Sequence, residues 1–161
     1  KLNLSKFKLL GIRDYRPSYE SNMKYVPCSS CNLKQLKYTY EIQRDIGIVE
    51  HHHNKITLSG NYDKINNEMN IDKIIKFIGE SRIIITNTYH VLYFSALLKK
   101  KCILYNSFSE KFNNLKFQHI KYESQMKFDE IKSNEMNEGF LQNCIDISDS
   151  FYFDILSKLK Y

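Results

Sequence analysis

Apolar positions along this chain change period several times, and each change marks an element. In IDKIIKFIGES, residues 71–81, apolar side chains fall at 71, 74, 75 and 78. That is the spacing of one helix face, and Gly79 can end the helix. RIIIT, residues 82–86, replaces the rhythm with a continuous apolar run, which predicts a strand covered on both faces. TYHVLYFSALLKKK, residues 88–101, reads as a helix, and CILY at 102–105 as another short buried strand. NSFSEKFNNLKF is a loop, and QHIKYES holds one more short strand. SQMKFDEIK (124–132) and NEGFLQNCIDISDSFYFDILSKLKY (137–161) read as helices. The second carries Phe140, Leu141, Cys144, Ile145, Ile147, Phe151, Ile155 and Leu159 near helical spacing, so it is expected to pack on the core.

Upstream, KLLGIR at 8–13 reads as a short buried strand. Residues 15–37 carry both prolines, Pro17 and Pro27, and read as a linker or loop. In EIQRDIGIVEHHH, Ile46, Ile48 and Val49 predict a strand ending near Glu50, with His51, His52 and His53 just beyond it. LSGNYDKINNEMN is turn-rich. From residue 44 onward strands and helices alternate. This predicts an α/β fold, a Rossmann-like parallel sheet with helices on both faces, over residues 41–161. Residues 1–40 fall outside the alternation and read as the tail of a preceding domain plus a linker. There is no internal repeat.

Composition changes this picture little. The 161 residues are 42% hydrophobic and 26% charged, which suits one globular domain with a real core. No apolar run reaches about 18 residues, so no transmembrane helix is expected. The N-terminal stretch KLNLSKFKLLGIRDY lacks a signal-peptide layout. A reducing cytoplasm with free thiols is therefore the expected setting. The chain begins with Lys rather than Met, as a fragment or processed chain would. The net charge of +6 reflects scattered lysines in a chain rich in Lys, Ile, Asn and Tyr. The only basic run, Lys99–Lys101, falls at a helix end, where it complements the dipole. No stripe of basic and aromatic residues points to nucleic acid.

The candidate chemistry centres on residues 82–90, RIIITNTYH. Ligands of open α/β sheets bind beyond the carboxyl ends of the strands. Thr86, Asn87 and Thr88 sit at such an end and also at the start of the next helix. Its first N–H groups lack partners and, with the dipole, favour a phosphate or carboxylate. His90, in the first turn, can donate or accept a proton, or pair with a phosphate, near neutral pH. The plainer reading is that Thr-Asn-Thr only caps the helix and His90 is hydrogen-bonded under a loop.

Other residues offer weaker signals. The three histidines at 51–53 lie on the same expected edge, and one imidazole, His51 among them, can contact a donor or acceptor. Neighbouring strand residues point to opposite faces, so no metal is expected there. The more ordinary reading is an exposed loop. Cys28-Ser29-Ser30-Cys31 is a lone CxxC. It could hold zinc only if His51 or His53 completed the set, since a closed site needs four ligands. A redox motif would need a strand before it and a helix after it. The ordinary reading is a loop with two buried thiols. Arg13, Asp14 and Glu20 could face a cleft, though an ordinary surface ion pair is simpler. The five glycines include no G-x-G-x-x-G, and no G-x-S-x-G occurs, which argues against an NAD-binding domain or a hydrolase.

The stretch SRIIITNTYHVLYFSALLKKKCILYNSFSEKFNNL resembles the core of the polysaccharide pyruvyl transferase family and its GT-B-type relatives. Their pattern is a strand, Thr-x-Ser/Thr-aromatic-His, an apolar helix, a basic turn, and a strand leading to a loop with Phe. FLQNCIDISDSFYFDIL is similar to the closing helix of such proteins, and VPCSSC before IGIVEHHH is similar less specifically. The resemblance spans roughly residues 25–160. It implies the C-terminal, donor-binding half of a GT-B-like transferase acting in bacterial cell-surface polysaccharide assembly. The donor would be phosphoenolpyruvate or a nucleotide sugar, with no other cofactor and no metal. His90 matches the family histidine, and Thr86 and Thr88 match its small polar positions. Many members carry Arg where this chain has Thr88 and Gly where it has Val91. Losing that Arg removes a bidentate anion partner. Lys111 is a substitute cation in NSFSEKFNN, with Ser107 and Ser109 as hydroxyl donors. The implied partners are a glycan acceptor, an N-terminal Rossmann-like domain and an inner-membrane surface, with no nucleic acid. A binding domain that keeps the fold without catalysis is the remaining alternative.

Overall fold

The protein is described here by a computed structural model covering residues 6–16, 18–131 and 137–159. Strands β1 (Leu10–Ile12) and β2 (Met23–Tyr25) form a small parallel pair of their own. β1 is half-buried rather than buried, and β2 falls inside the stretch expected to be loop. Two 3-10 turns, Ser29–Asn32 and Lys34–Lys37, follow. Their Cys31 and Leu36 enter the main buried cluster.

The main sheet is all-parallel and contains β3 (Arg44–Glu50), β4 (Asp63–Asn66), β5 (Ser81–Thr86), β6 (Lys101–Leu104) and β7 (Ile120–Lys121). Its order is β4-β3-β5-β6-β7. This is the α/β, Rossmann-like arrangement that the alternation predicts. Successive strand side chains point to opposite faces. Ile48, Ile83, Ile85 and Ile103 therefore form one buried layer, and Val49, Ile84, Cys102 and Leu104 join the other.

The two faces are covered differently. On the Val49–Ile84 face lie α1 (Ile71–Gly79), α2 (Tyr89–Leu97) and α3 (Phe140–Leu159). α1 starts at Asn70, whose side-chain oxygen accepts the Asp72 N–H at 2.8 Å, and buries Ile74, Ile75 and Ile78. α2 is buried from Val91 to Leu97. A helix apolar on every side belongs in the interior. α3 reaches across to the β1–β2 pair, where Lys24 meets Asp154 at 2.6 Å and the Phe151 ring lies against Gly11. On the other face, Ile56, Leu58 and Tyr62 of the β3–β4 connection and Tyr122, Met126, Phe128 and Ile131 cover the sheet.

That second cover accounts for one departure from the expected elements. SQMKFDEIK forms no α-helix: residues 124–131 hold only a 3-10 turn at Phe128–Glu130, and Lys132 lies outside the described residues. Its apolar residues at 126, 128 and 131 do not repeat at helical spacing, and the segment lies along the sheet instead. β4 is a strand that the turn-rich sequence hid. As an edge strand it keeps Asp63 and Lys64 exposed, so its pattern is polar.

At the amino end of the sheet, Arg44 lies over the Phe77 ring and bonds Asp63 (3.1 Å) and Glu80 (3.4 Å). Gly47 permits this closeness: an added Cβ would lie 2.5 Å from Ser81 Oγ and 2.7 Å from the Phe77 ring.

Candidate functional site

The topology opens a crevice at one place. The connection leaving β3 covers one face of the sheet, while α2, which leaves β5, covers the other. Adjacent strands whose connections diverge leave a gap at their carboxyl ends. Residues 51–54 and 86–90 meet there.

Side chains tie the two strand ends together. Thr86 Oγ1 donates to the Val49 carbonyl at 2.6 Å and accepts the Thr88 N–H at 3.1 Å. Asn87 Oδ1 accepts the His51 N–H at 2.8 Å, and its Nδ2 donates to the Asn54 carbonyl at 2.7 Å. Thr86, Asn87 and Thr88 are all buried. Thr88 is the N-cap of α2, yet its side chain caps nothing; its hydroxyl lies 3.2 Å from Thr86 Oγ1 instead. The Thr-Asn-Thr segment therefore latches the crevice and leaves the first turn of α2 without a side-chain acceptor.

A cavity of about 550 Å³ opens onto that turn. Its walls come from Cys28, Ser30 and Leu33, from His51, from the segment between β4 and α1, from the first turns of α2, and from residues 108–112. His90 is exposed and stands on the wall; His51 and Lys111 stand on it too, together with the Ser109 hydroxyl. Ser107 is exposed and is not among the lining residues. The remaining candidates lie nearby or behind. Arg13 lies over the Tyr89 ring, 4.8 Å from its centroid, rather than in a surface pair with Asp14. Burial raises the Tyr89 phenol above its usual range, with the Arg13 guanidinium opposing.

The histidine run leaves the strand at Glu50, so its three rings gather. His51 stacks on His52 at 4.4 Å between centroids, and the His52 and His53 centroids are 3.7 Å apart. Burial, then the neighbouring His52 and His53, lower the His51 pKa. Asn67 holds the His52 N–H at 2.8 Å. Among the described residues, no group of three His, Cys, Asp or Glu side chains is placed to hold a metal ion. Nor is any described helix long and apolar enough to cross a membrane.

The sequence favoured two buried loop thiols at Cys28 and Cys31, and the fold bears this out for Cys31 alone. The two thiols of the CxxC part company: Cys31 is buried against Ser148 of α3, whereas Cys28 faces the cavity. The neighbouring His90 side chain pulls the Cys28 pKa down to about 6, against burial, which raises it. Ser30 Oγ adds a donor at 3.0 Å. The only signal in the sequence was the CxxC itself; its histidine partner lies far along the chain.

Residues 1–107, out of 161, match the family model for polysaccharide pyruvyl transferase. No curated protein matches the chain, and no solved structure does. The matched span holds Cys28, His51 and the whole Thr86–His90 segment. It stops before Lys111 and before the α3 segment FLQNCIDISDSFYFDIL, so the likeness seen there lies outside it.

Proposed function

We propose that this chain, which belongs to the polysaccharide pyruvyl transferase family, binds an anionic donor at the first turn of α2 and transfers a pyruvyl group from phosphoenolpyruvate to a cell-surface glycan. The observation that carries this reading is the uncapped start of α2, opening into the cavity with His90 on its wall. Free N–H groups and the helix dipole favour an anion there. Lys111 supplies countercharge from the opposite wall, in place of the arginine absent at Thr88, and the His51 ring adds a neutral hydrogen-bonding partner. Thr86 and Asn87 hold the strand ends that shape the donor site, while the Thr88 and Ser109 hydroxyls reach the donor. Ser107, on the same loop, stands at its outer edge.

In this reading His90 protonates the enol carbon as an acceptor hydroxyl adds to the neighbouring carbon. A second hydroxyl then displaces phosphate and closes the ketal. The acceptor enters from the open side of the crevice. A second Rossmann-like domain, arranged as in GT-B transferases, presents it on the cytoplasmic face of the inner membrane. No metal and no nucleic acid takes part.

The test is a thermal-shift series with phosphoenolpyruvate and a panel of nucleotide sugars, on wild type, Lys111→Ala and His90→Ala. A ligand bound by the native state raises its apparent stability. Phosphoenolpyruvate is expected to raise Tm, less so in Lys111→Ala. With acceptor present, His90→Ala should lose about 10²–10⁴-fold in phosphate release. A shift with nucleotide sugars alone would favour glycosyl transfer on the same scaffold. A folded protein indifferent to every donor would sink the anion site and favour a binding domain.

A further inference from the structure

Adding a hydroxyl across an enol double bond needs two proton-handling groups, one to give and one to take. His90 can fill one role. No Asp or Glu lines the cavity among the described residues, so the usual carboxylate base is missing. We propose that Cys28, which shares the cavity wall with His90, is the base of this pocket and takes the proton that an acceptor hydroxyl releases. The identity of the substrate rests on the pyruvyl-transfer reading; the thiolate pair itself does not.

The geometry fixes Cys28 in place. Its carbonyl accepts the Tyr93 hydroxyl at 3.1 Å and the Cys31 N–H at 3.1 Å. Its Sγ accepts Ser30 Oγ at 3.0 Å and remains on the cavity wall beside His90. The charged groups around it are mostly cationic, with Asp14 acting on Tyr89 as the anion. Tyr89 and Tyr93 come from α2, His51 and Lys111 from the other walls, and Arg13 stands behind Tyr89. The other cysteines are unlike it. Burial pushes Cys102 up to about 12 and Cys144 up to about 11, and Cys31 is fully buried. A thiolate next to an imidazole is an activated group.

The step balances. The acceptor oxygen bonds to C2 of the enol, and its proton passes to Cys28 Sγ. The C2–C3 π pair takes a proton from His90 and becomes a methyl group. The thiol proton then crosses to the imidazole and restores the pair. The second hydroxyl displaces phosphate, which leaves with the C–O electron pair and takes up that hydroxyl's proton.

Two readouts on the full chain test this, with wild type, Cys28→Ala, Cys28→Ser and His90→Ala. The first is the alkylation rate of each cysteine by iodoacetamide against pH, followed by peptide mass. Cys28 labelling in the wild type should rise with a midpoint near pH 6. In His90→Ala that midpoint should move toward the ordinary thiol value of about 8.5. The second is phosphate release from phosphoenolpyruvate with acceptor. A base works unprotonated, so wild-type kcat should fall as pH drops through about 6. Cys28→Ala should lose roughly 10²-fold or more in kcat with little change in KM, and should lose that acid limb. Cys28→Ser, which keeps the size but does not ionise, should not rescue; it carries the test if Cys28→Ala fails to fold. An ordinary thiol profile for wild-type Cys28, or a folded Cys28→Ala with wild-type kcat and pH profile, overturns the proposal. Expected alkylation with no transfer from phosphoenolpyruvate would overturn the pyruvyl-transfer reading and leave the thiolate pair standing.

Discussion

Glu50 ends β3 pointing into the protein, although its position beside three histidines suggested the ligand edge. Its Oε2 accepts the Ile56 N–H at 2.9 Å, and Lys55 and Lys64 approach at 3.2 and 3.5 Å. Burial raises its pKa, but the Ile56 N–H and the two lysines outweigh that, and the net shift is downward. The carboxylate thus latches the connection that carries Ile56 onto the sheet. Glu50→Gln should cost about 1–3 kcal/mol at neutral pH, read by urea unfolding. A carboxyl whose pKa is lower folded than unfolded stabilises above its unfolded value. That contribution is lost as pH falls through the folded value. The gap between wild type and Glu50→Gln should therefore close in acid and persist from pH 6 upward. At this scale the sequence offered the segment Thr86–His90 as a candidate, beside the plainer reading of a helix cap, and the fold puts Thr88 and His90 on the cavity wall. The sequence could not announce Glu50 or Cys28, since each owes its role to residues that only folding brings near.

At the scale of elements, the Thr86 hydroxyl joins β3 to β5 and positions the first turn of α2. Thr86→Val keeps the shape but leaves the Val49 carbonyl and the Thr88 N–H without that partner. We expect a loss of about 1–3 kcal/mol in unfolding free energy and weaker donor binding by calorimetry, with Thr86→Ser close to wild type. Equal donor affinity in Thr86→Val and Thr86→Ser would show that the latch does not shape the site. Strands β5 and β6 were legible because buried parallel strands read as unbroken apolar runs, and β3 because Ile46, Ile48 and Val49 cluster ahead of the polar histidine run. β4 and β2 were not, because edge and minor strands carry polar residues and owe their pairing to a neighbour. The segment 124–131 misled for a related reason: three apolar residues over a sheet face need no helix to be buried.

For the whole molecule, the order β4-β3-β5-β6-β7 places β3, β5 and β6 inside, while β1–β2 stands apart and β7 contributes two residues. Amide hydrogen exchange should follow this arrangement. The slowest amides should lie in β3, β5 and β6 and in α2, and the fastest strand amides in β1, β2 and β7. Uniform protection across all seven strands would contradict it. The turns at Ser29–Asn32 and Lys34–Lys37 should exchange more slowly than β1 and β2, since Cys31 and Leu36 share a buried cluster with α1 and α2.

The sequence by itself determined the parallel α/β class, the crevice-side segment Thr86–His90 and the family likeness it carries. Each of these depends on local period or on a contiguous motif. Tertiary structure alone decided which connection covers which face, and so where the crevice opens. It alone turned Thr88 away from its helix and set Cys28 beside His90. Such pairings depend on how distant segments pack, which no local pattern of residues encodes.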